Sequence, residues 1–564
     1  MGQALASTSA LASTLARGLT WALGWGLVWA LAGCALHKEP PPSPDIDEGL
    51  YRNALRTLAG DDYLGRKPGT AGEDKTVAFL VESFKKIGLK PGNGESFIQN
   101  VPLVESIAAA DATLSFAGQQ GLRNLAYGKD MVIWNEGAAA TARLQRSDVV
   151  FVGFGIVASE YNWNDYADTD VHGKTVLVLA NDPGYASKDP TLFKGGAMTQ
   201  YGRWAYKIEE AARQGAAGVL LIHDVDSLGF TWNVVQNTWT GAQFHRPPAP
   251  GSAAPPAIEG WLRNEAARDF FSAAGRDFAA LSAAAAHPGF KSVVLGLKAD
   301  ALLHSSVRQF NSANVVALLT GSKKRECLIY EAHWDGLGAD AARQGHNIFN
   351  AAENNASGVA GLLALAQSFQ RTKPAPDRSI VFLATTAGEP NQLGSEYYTD
   401  NPLFPLRETE AVIALDSLLI GGPTRDVSIF GVGNSDLEDT ARAVALLQGR
   451  ETRPEPAPQR GTYFETDSFN FARAGVPVLY VRGGPDNSAR GPVWGQAQMD
   501  DYRLNRYRQT TDQYGANWDV RGALSDLALY YEVGMRVTHA RRFPRWYPNS
   551  EFRITRARGQ HSAD

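Results

Sequence analysis

The sequence predicts an α/β fold: a mostly parallel central sheet flanked by helices, with a β-rich domain inserted into it. Three observations carry that expectation. The segments "CLIYEAHWD", "SIVFLATTAGE" and "AVIALDS" each run from an apolar strand into polar residues. Between the first two lies "NNASGVAGLLALAQSF", a helix with a Ser/Asn/Gly-rich start, and strands alternating with helices imply a mostly parallel sheet. Upstream, from about 107, the texture changes to Ala-rich, strand-like segments such as "DVVFVGFGIVA" and "KTVLVLAND", which read as the insert.

The chain has 564 residues, of which 44% are hydrophobic and 20% charged, which suits two or three globular domains. Its net charge of -5 is spread thinly and argues against a nucleic-acid partner.

Residues 1–33 read as a secretory signal. Arg17 is the only charge before the apolar "LTWALGWGLVWA", which runs straight into "LAGC". Leu31, Ala32, Gly33 and Cys34 resemble a bacterial lipobox, which implies that Cys34 is acylated and that the membrane is a partner through that lipid. Ala35, in place of an acidic residue, then implies the outer membrane, facing the periplasm of a bacterial cell envelope. An uncleaved membrane anchor is the alternative. Residues 34–45, with "EPPPSPD", form a stiff polar tether. The only other cysteine, Cys327, opens the apolar run "CLIY" and is expected to be a buried packing residue.

Residues 46–139 form the first part of the main domain. Val77, Leu80, Val81, Phe84 and Ile87 recur at spacings of three and four, which makes one apolar helical face, and Gly88 with "PGNG" stops the helix. Residues 140–295 are read as the insert. It contains "IEEAARQGAAGVLLIHD", a helix leading into a strand through a glycine turn, and the Pro-rich loop "HRPPAPGSAAPP". His172, His223, His245 and His287 lack partner spacing and are expected to be non-catalytic. Residues 296–546 complete the main domain, and 547–564 are a tail.

Ligands of open parallel sheets bind outside the carboxyl ends of the strands. His333, Glu389 and Asp416 all stand at such ends, so they define a candidate site.

These segments together resemble the co-catalytic, di-zinc aminopeptidases, in the bacterial leucyl aminopeptidase or aminopeptidase Y-like group that carries a protease-associated domain insert. "DDYLGRKPGTAGEDKTVAFL" is similar to the family's leading segment and "YGRWAYKIEEAARQGAAG" to its insert. "AHWDGLG", "NNASGVAGLLALA", "GPTRDVSIFG", "FARAGVPVLY" and "TTDQYGANWD" follow in the family's order. The resemblance implies a zinc-peptidase-like fold, five ligands around two zinc ions, and a separate glutamate base that takes a proton from metal-bound water.

Carried over residue by residue, part of that set is present. His333, Asp416 and Glu389 occupy retained ligand positions, and Asp335 stands where it would orient the His333 ring. Asn354 replaces the bridging aspartate, and Arg508 replaces the last histidine. Gly388 occupies the base position, so no catalytic residue is retained. Asp467 is kept in the substrate segment, but Ser468 stands where a histidine is usual. His346 and Glu353 are the nearest replacements for a lost ligand. An arginine at the last-ligand position is expected to pair with Glu389, a salt bridge where a metal would have been.

The expected cofactor is therefore none, or one weakly bound zinc. The expected function is a non-hydrolytic, aminopeptidase-like lipoprotein that binds a peptide or protein in the old cleft. The alternative is an active metal-dependent aminopeptidase with an atypical site, for which two zinc ions are expected.

Overall fold

The computed structural model of the protein describes residues 44–553 apart from 120, 138, 249, 250 and 252. The signal segment, Cys34 and residues 554–564 lie outside the described residues. Among the described residues no helix is long and apolar enough to cross a membrane.

Among the described residues, hydrogen bonds join 17 strands into one network, in which the 27-residue strand Val293–Leu319 runs through two sheets and the two-residue strand Lys90–Pro91 pairs antiparallel with its end. Its C-terminal half belongs to the main sheet. There the order is Ala242–His245, Ile98–Ala108, Val293–Leu319, Arg378–Thr385, Lys323–His333, Thr409–Ala414, Val478–Gly483, Asp426–Ile429 and Glu451–Pro454. The four central strands, from Arg378–Thr385 to Val478–Gly483, are parallel. The strands outside them pair antiparallel except for the last. The expected parallel sheet is thus the sheet's centre. Its strands are buried along their length, as parallel strands covered on both faces must be.

The helix Ser357–Arg371 packs on this sheet with Ser357–Ala366 all buried. Its glycines let it approach closely: a Cβ on Gly358 would lie 2.3 Å from the Leu415 carbonyl oxygen. The helix Ala71–Ile87 begins on Thr70, whose side chain accepts from the Gly72 N–H, and ends at Gly88 with φ +91°. Leu80 and Phe84 from its apolar face are fully buried, each worth about 1.5–3 kcal/mol.

The N-terminal half of Val293–Leu319 belongs to the second sheet. It runs Gly121–Leu125, Thr113–Gly118, Val293–Leu319, Thr141–Phe151, Thr175–Leu179, Gly218–Ile222, Ile258–Leu262 and Met131–Trp134. Strands from Thr113 onward join this sheet. Separate cores fill the two faces, one around Phe151, Phe270 and Phe271, the other around Trp134, Trp239 and Trp261.

Arg66, from the leading segment, is 1% exposed and ties the loops beneath the site together. Its guanidinium donates to the carbonyls of Trp334 (2.9 Å), Leu58 (2.6 Å), Asn350 (2.7 Å) and Ala351 (2.9 Å). Two of these precede Asn354, and one follows His333.

Candidate functional site

The strand Lys323–His333 lies between Arg378–Thr385 and Thr409–Ala414, parallel to both, so three carboxyl ends open side by side. His333 is the last residue of the first, Glu389 follows the second and Asp416 follows the third. Ala387 and Ser417, in the two turns, have φ of 47° and 49°. Non-glycine residues reach that left-handed region at a cost of about 1–3 kcal/mol, and such residues gather at functional sites.

Arg508 reaches Glu389. Its guanidinium is ion-paired with the Glu389 carboxylate, and both side chains are largely buried. Arg508 itself has φ 53°, its guanidinium stands 5.0 Å from the Tyr507 ring centre, and Asn237 Nδ2 of the insert donates to its carbonyl at 3.0 Å. The other Glu389 oxygen, Oε1, accepts from Asn354 Nδ2 at 2.5 Å. Burial alone would raise the Glu389 pKa. Arg508, His333 and the Asn354 amide outweigh it and hold the carboxyl below its usual value.

Asn354 is fixed from both sides. The backbone N–H groups of Glu353 and Asn354 donate to the Asp512 carboxylate at 2.9 and 3.2 Å. Ser417 Oγ lies 3.1 Å from Asn354 Oδ1 and 2.8 Å from Asp416 Oδ1. Asn354 is thus linked to Glu389 directly and to Asp416 through Ser417.

Asp335 accepts from the N–H groups of Gly388 (2.7 Å) and Glu389 (3.1 Å) and lies 3.5 Å from His333 Nδ1. Burial disfavours the charged imidazole. Asp335, Asp416 and Glu389 prevail and raise the His333 pKa well above its ordinary value. At Gly388 a Cβ would lie 2.5 Å from His333 Cβ and 2.6 Å from Asp467 Oδ2. The space beside the backbone is therefore filled. Burial pushes the Asp467 pKa up to about 7, with His333 opposing it. Glu331, two residues before His333, is also buried and raised well above the carboxylate range, by burial and then by Asp467.

The other sequence candidates fall as follows. His346 is exposed and bonded to Asn350 Oδ1 at 2.8 Å. Glu353 is buried and lines a cavity of about 90 Å³ with Asn354, Glu389 and Asp416, and burial with nearby Asp512 pushes its pKa up to about 8. Ser468 is fully buried, 2.8 Å from Thr466 Oγ1. His223 and His245 are buried with partners elsewhere, Phe230 O at 3.0 Å and Ser106 Oγ at 3.2 Å. Cys327 is buried and free.

Sequence reasoning missed three contributors. Tyr480 donates to the Asp416 carbonyl at 3.0 Å, and Arg482 to the Ser417 carbonyl at 3.2 Å. Arg482 stands at the carboxyl end of Val478–Gly483, so the rule that marked His333 and Asp416 would have marked it, whereas Tyr480 lies in the middle of that strand. Arg66 had no such signal.

His333, Asp416 and Glu389, the side chains expected to ligate a metal, stand here with other carboxylates, Asp335, Glu353 and Asp467. Among the described residues, however, no three His, Cys, Asp or Glu side chains are grouped so as to hold a metal ion.

Residues 314–531 match the model of Peptidase family M28. No curated protein matches the chain. Among solved structures, an aminopeptidase from Aneurinibacillus sp. strain AM-1 is similar with a TM-score of 0.50 and 17% identity, over 90% of this chain and 95% of that one. A peptidase M28 precursor from Shewanella amazonensis SB2B gives 0.46 and 15%, over 89% and 98%. BSAP, a zinc aminopeptidase from Bacillus subtilis, gives 0.44 and 16%, over 86% and 94%. At 17% identity the first of these shows a shared fold.

Proposed function

We propose, from the premise that residues 314–531 are a peptidase family M28 domain, that this chain is a non-hydrolytic peptide-binding member of the aminopeptidase fold. The observation that carries the proposal is the ion pair between Arg508 and Glu389. A guanidinium is a permanent cation with no lone pair to offer, so it neutralises a ligand carboxylate without coordinating zinc.

The residues present do not fit two zinc ions. Glu389 already gives one oxygen to Asn354 and pairs with Arg508. Asn354 brings a neutral amide to Glu389 and, through Ser417, to Asp416, and the ligating side chains do not converge. Glu389 and Asp416 with Arg508 sum to about one negative charge, a weak counterweight to two dications. Gly388 offers no group to take a proton from water, and a missing general base costs about 10²–10⁴-fold in rate. The architecture that held such a site is nonetheless kept, from the Asp335 carboxylate on two backbone N–H groups to Asp512 under Asn354.

On this reading the protein is tethered to the bacterial envelope through Cys34, and its partner is a peptide or an exposed protein segment. A panel of aminoacyl-nitroanilides assayed with and without EDTA tests the proposal. The expected result is no turnover above the uncatalysed rate. Turnover abolished by EDTA would establish the active aminopeptidase instead.

A further inference from the structure

A cavity of about 940 Å³ lies between the second sheet's helices and the main sheet's loops, at the upper end of the range for ligand sites, about 300–1,000 Å³. Its walls are apolar in large part, with Trp204, Phe230, Trp239, Phe244 and Phe464. Arg508 lines it at the inner end, so it abuts the ion pair with Glu389.

The charges around this cavity are unevenly matched. Arg213 pairs with Glu210 at 2.8 Å and lies 3.9 Å from Glu209. Arg246 pairs with Asp400 at 2.6 Å and Glu396 at 3.4 Å. Arg460 pairs with Asp500 at 3.4 Å, and Glu465 with Arg503 at 3.1 Å. Glu136 is partly buried, and desolvation pushes its pKa up to about 7, which weakens it as a counter-charge. Two cations remain. Arg203 and Arg473 have no carboxylate among the described residues within ion-pair distance, and the Arg203 guanidinium stands over the Phe469 ring at 4.5 Å.

Arg203 is also the N-cap of the ten-residue helix Trp204–Arg213, whose first turn has no side-chain cap. Gly202, Arg203, Trp204 and Ala205 all line the cavity, so the positive end of a helix and the Arg203 side chain border the same space. Both favour an anion, and a guanidinium binds a carboxylate through two parallel hydrogen bonds. The aromatic walls suit an apolar chain attached to it.

We infer that this cavity is a peptide site that anchors a ligand carboxylate on Arg203, with apolar side chains of the peptide against Trp204 and Phe230. The inference rests on the peptide-binding reading and adds the chemistry of the ligand: a carboxylate is recognised, from a chain terminus or an acidic side chain.

Calorimetric titration of the full chain with three peptides tests this. They are acetyl-Ala-Phe-Leu-Phe-Ala as free acid, the same peptide as C-terminal amide, and acetyl-Ala-Phe-Glu-Phe-Ala amide. At least one carboxylate-bearing peptide is expected to bind about tenfold or more tightly than the neutral amide. Tight binding of the free acid alone assigns the site to chain termini, and tight binding of the Glu peptide assigns it to acidic side chains. Arg203→Gln is expected to erase the preference, and Arg203→Lys to retain part of it, with thermal melts showing that both variants fold. Equal affinities, binding insensitive to Arg203→Gln, or no binding at all would overturn the inference. Equal affinities would leave the peptide-binding reading standing. EDTA-sensitive cleavage of any of the peptides would remove the non-hydrolytic reading, while the affinity ratios still decide the carboxylate site.

Discussion

Arg508 and Glu389 form a buried ion pair at the carboxyl edge of the main sheet, and the Asn354 amide holds the second oxygen of the same carboxylate. The group that would otherwise need a metal is thereby satisfied by the chain itself. A charge buried at that depth is tolerated only when paired.

Removing one partner of the pair is therefore costly. Arg508→Met is expected to destabilise the protein by about 3–5 kcal/mol, because it strands the Glu389 carboxylate. Glu389→Gln in the same chain should recover most of that loss. A double-mutant cycle by urea denaturation measures it, and simple additivity of the two changes would show that the pair is not coupled.

Gly388 is a filled position rather than an empty socket. Gly388→Glu is expected to restore no hydrolysis, since its Cβ would meet His333 and the Asp467 carboxylate at 2.5 and 2.6 Å. Even Gly388→Ala should cost about 1–3 kcal/mol by overpacking. Thermal melts and the nitroanilide assay check both statements.

Arg66 positions the loops beneath the site without touching it chemically. Arg66→Ala would leave four buried carbonyls without their donor, a loss of about 3 kcal/mol or more. Arg66→Lys should recover only part, because an ammonium lacks the planar fork that reaches all four. Denaturation midpoints of the two variants separate these outcomes.

Glu353 gives the protein a pH dependence of known sign. Its pKa in the fold, about 8, lies above the 4.5 of an ordinary glutamate. Its stabilising contribution is fully present below that ordinary value and is lost as pH rises through about 8. Glu353→Gln keeps the neutral shape at every pH, so its melting temperature relative to the unaltered protein should climb between pH 5 and pH 9. A difference that stays flat over that range would mean Glu353 is not buried as a neutral acid.

Much of this could be seen in the sequence, for identifiable reasons. The central strands are continuous apolar runs that end in polar residues, and that pattern marked His333, Glu389 and Asp416 at adjacent strand ends. The helix Ala71–Ile87 was visible from its apolar spacing and Gly88. The pairing of Arg508 with Glu389, 119 residues apart, followed from a cation standing at the last-ligand position of the resemblance, and the ion pair is present in the fold. Other features depend on packing that has no local pattern. The four carbonyls gathered by Arg66 come from the end of a nearby helix and from two segments at least 268 residues away, and the space beside Gly388 is closed by His333 and Asp467 from elsewhere in the chain. The second sheet's opening strands are short and half-polar, so they stand out weakly in the sequence. The placement of Glu353 beside Asn354 in the site also has no local pattern. The backbone is irregular there, with non-helical φ/ψ at Asn354 and Asn355, and the residue lines the site's cavity.

The measurement that most directly tests replacement of the metal by the ion pair is zinc content. The purified protein is dialysed against micromolar zinc, freed of excess ion and analysed by plasma mass spectrometry. Less than one equivalent of zinc per chain is the predicted result, with the Arg508–Glu389 pair intact. Two equivalents retained per chain would contradict the account, because Glu389 would then be a zinc ligand rather than the partner of Arg508.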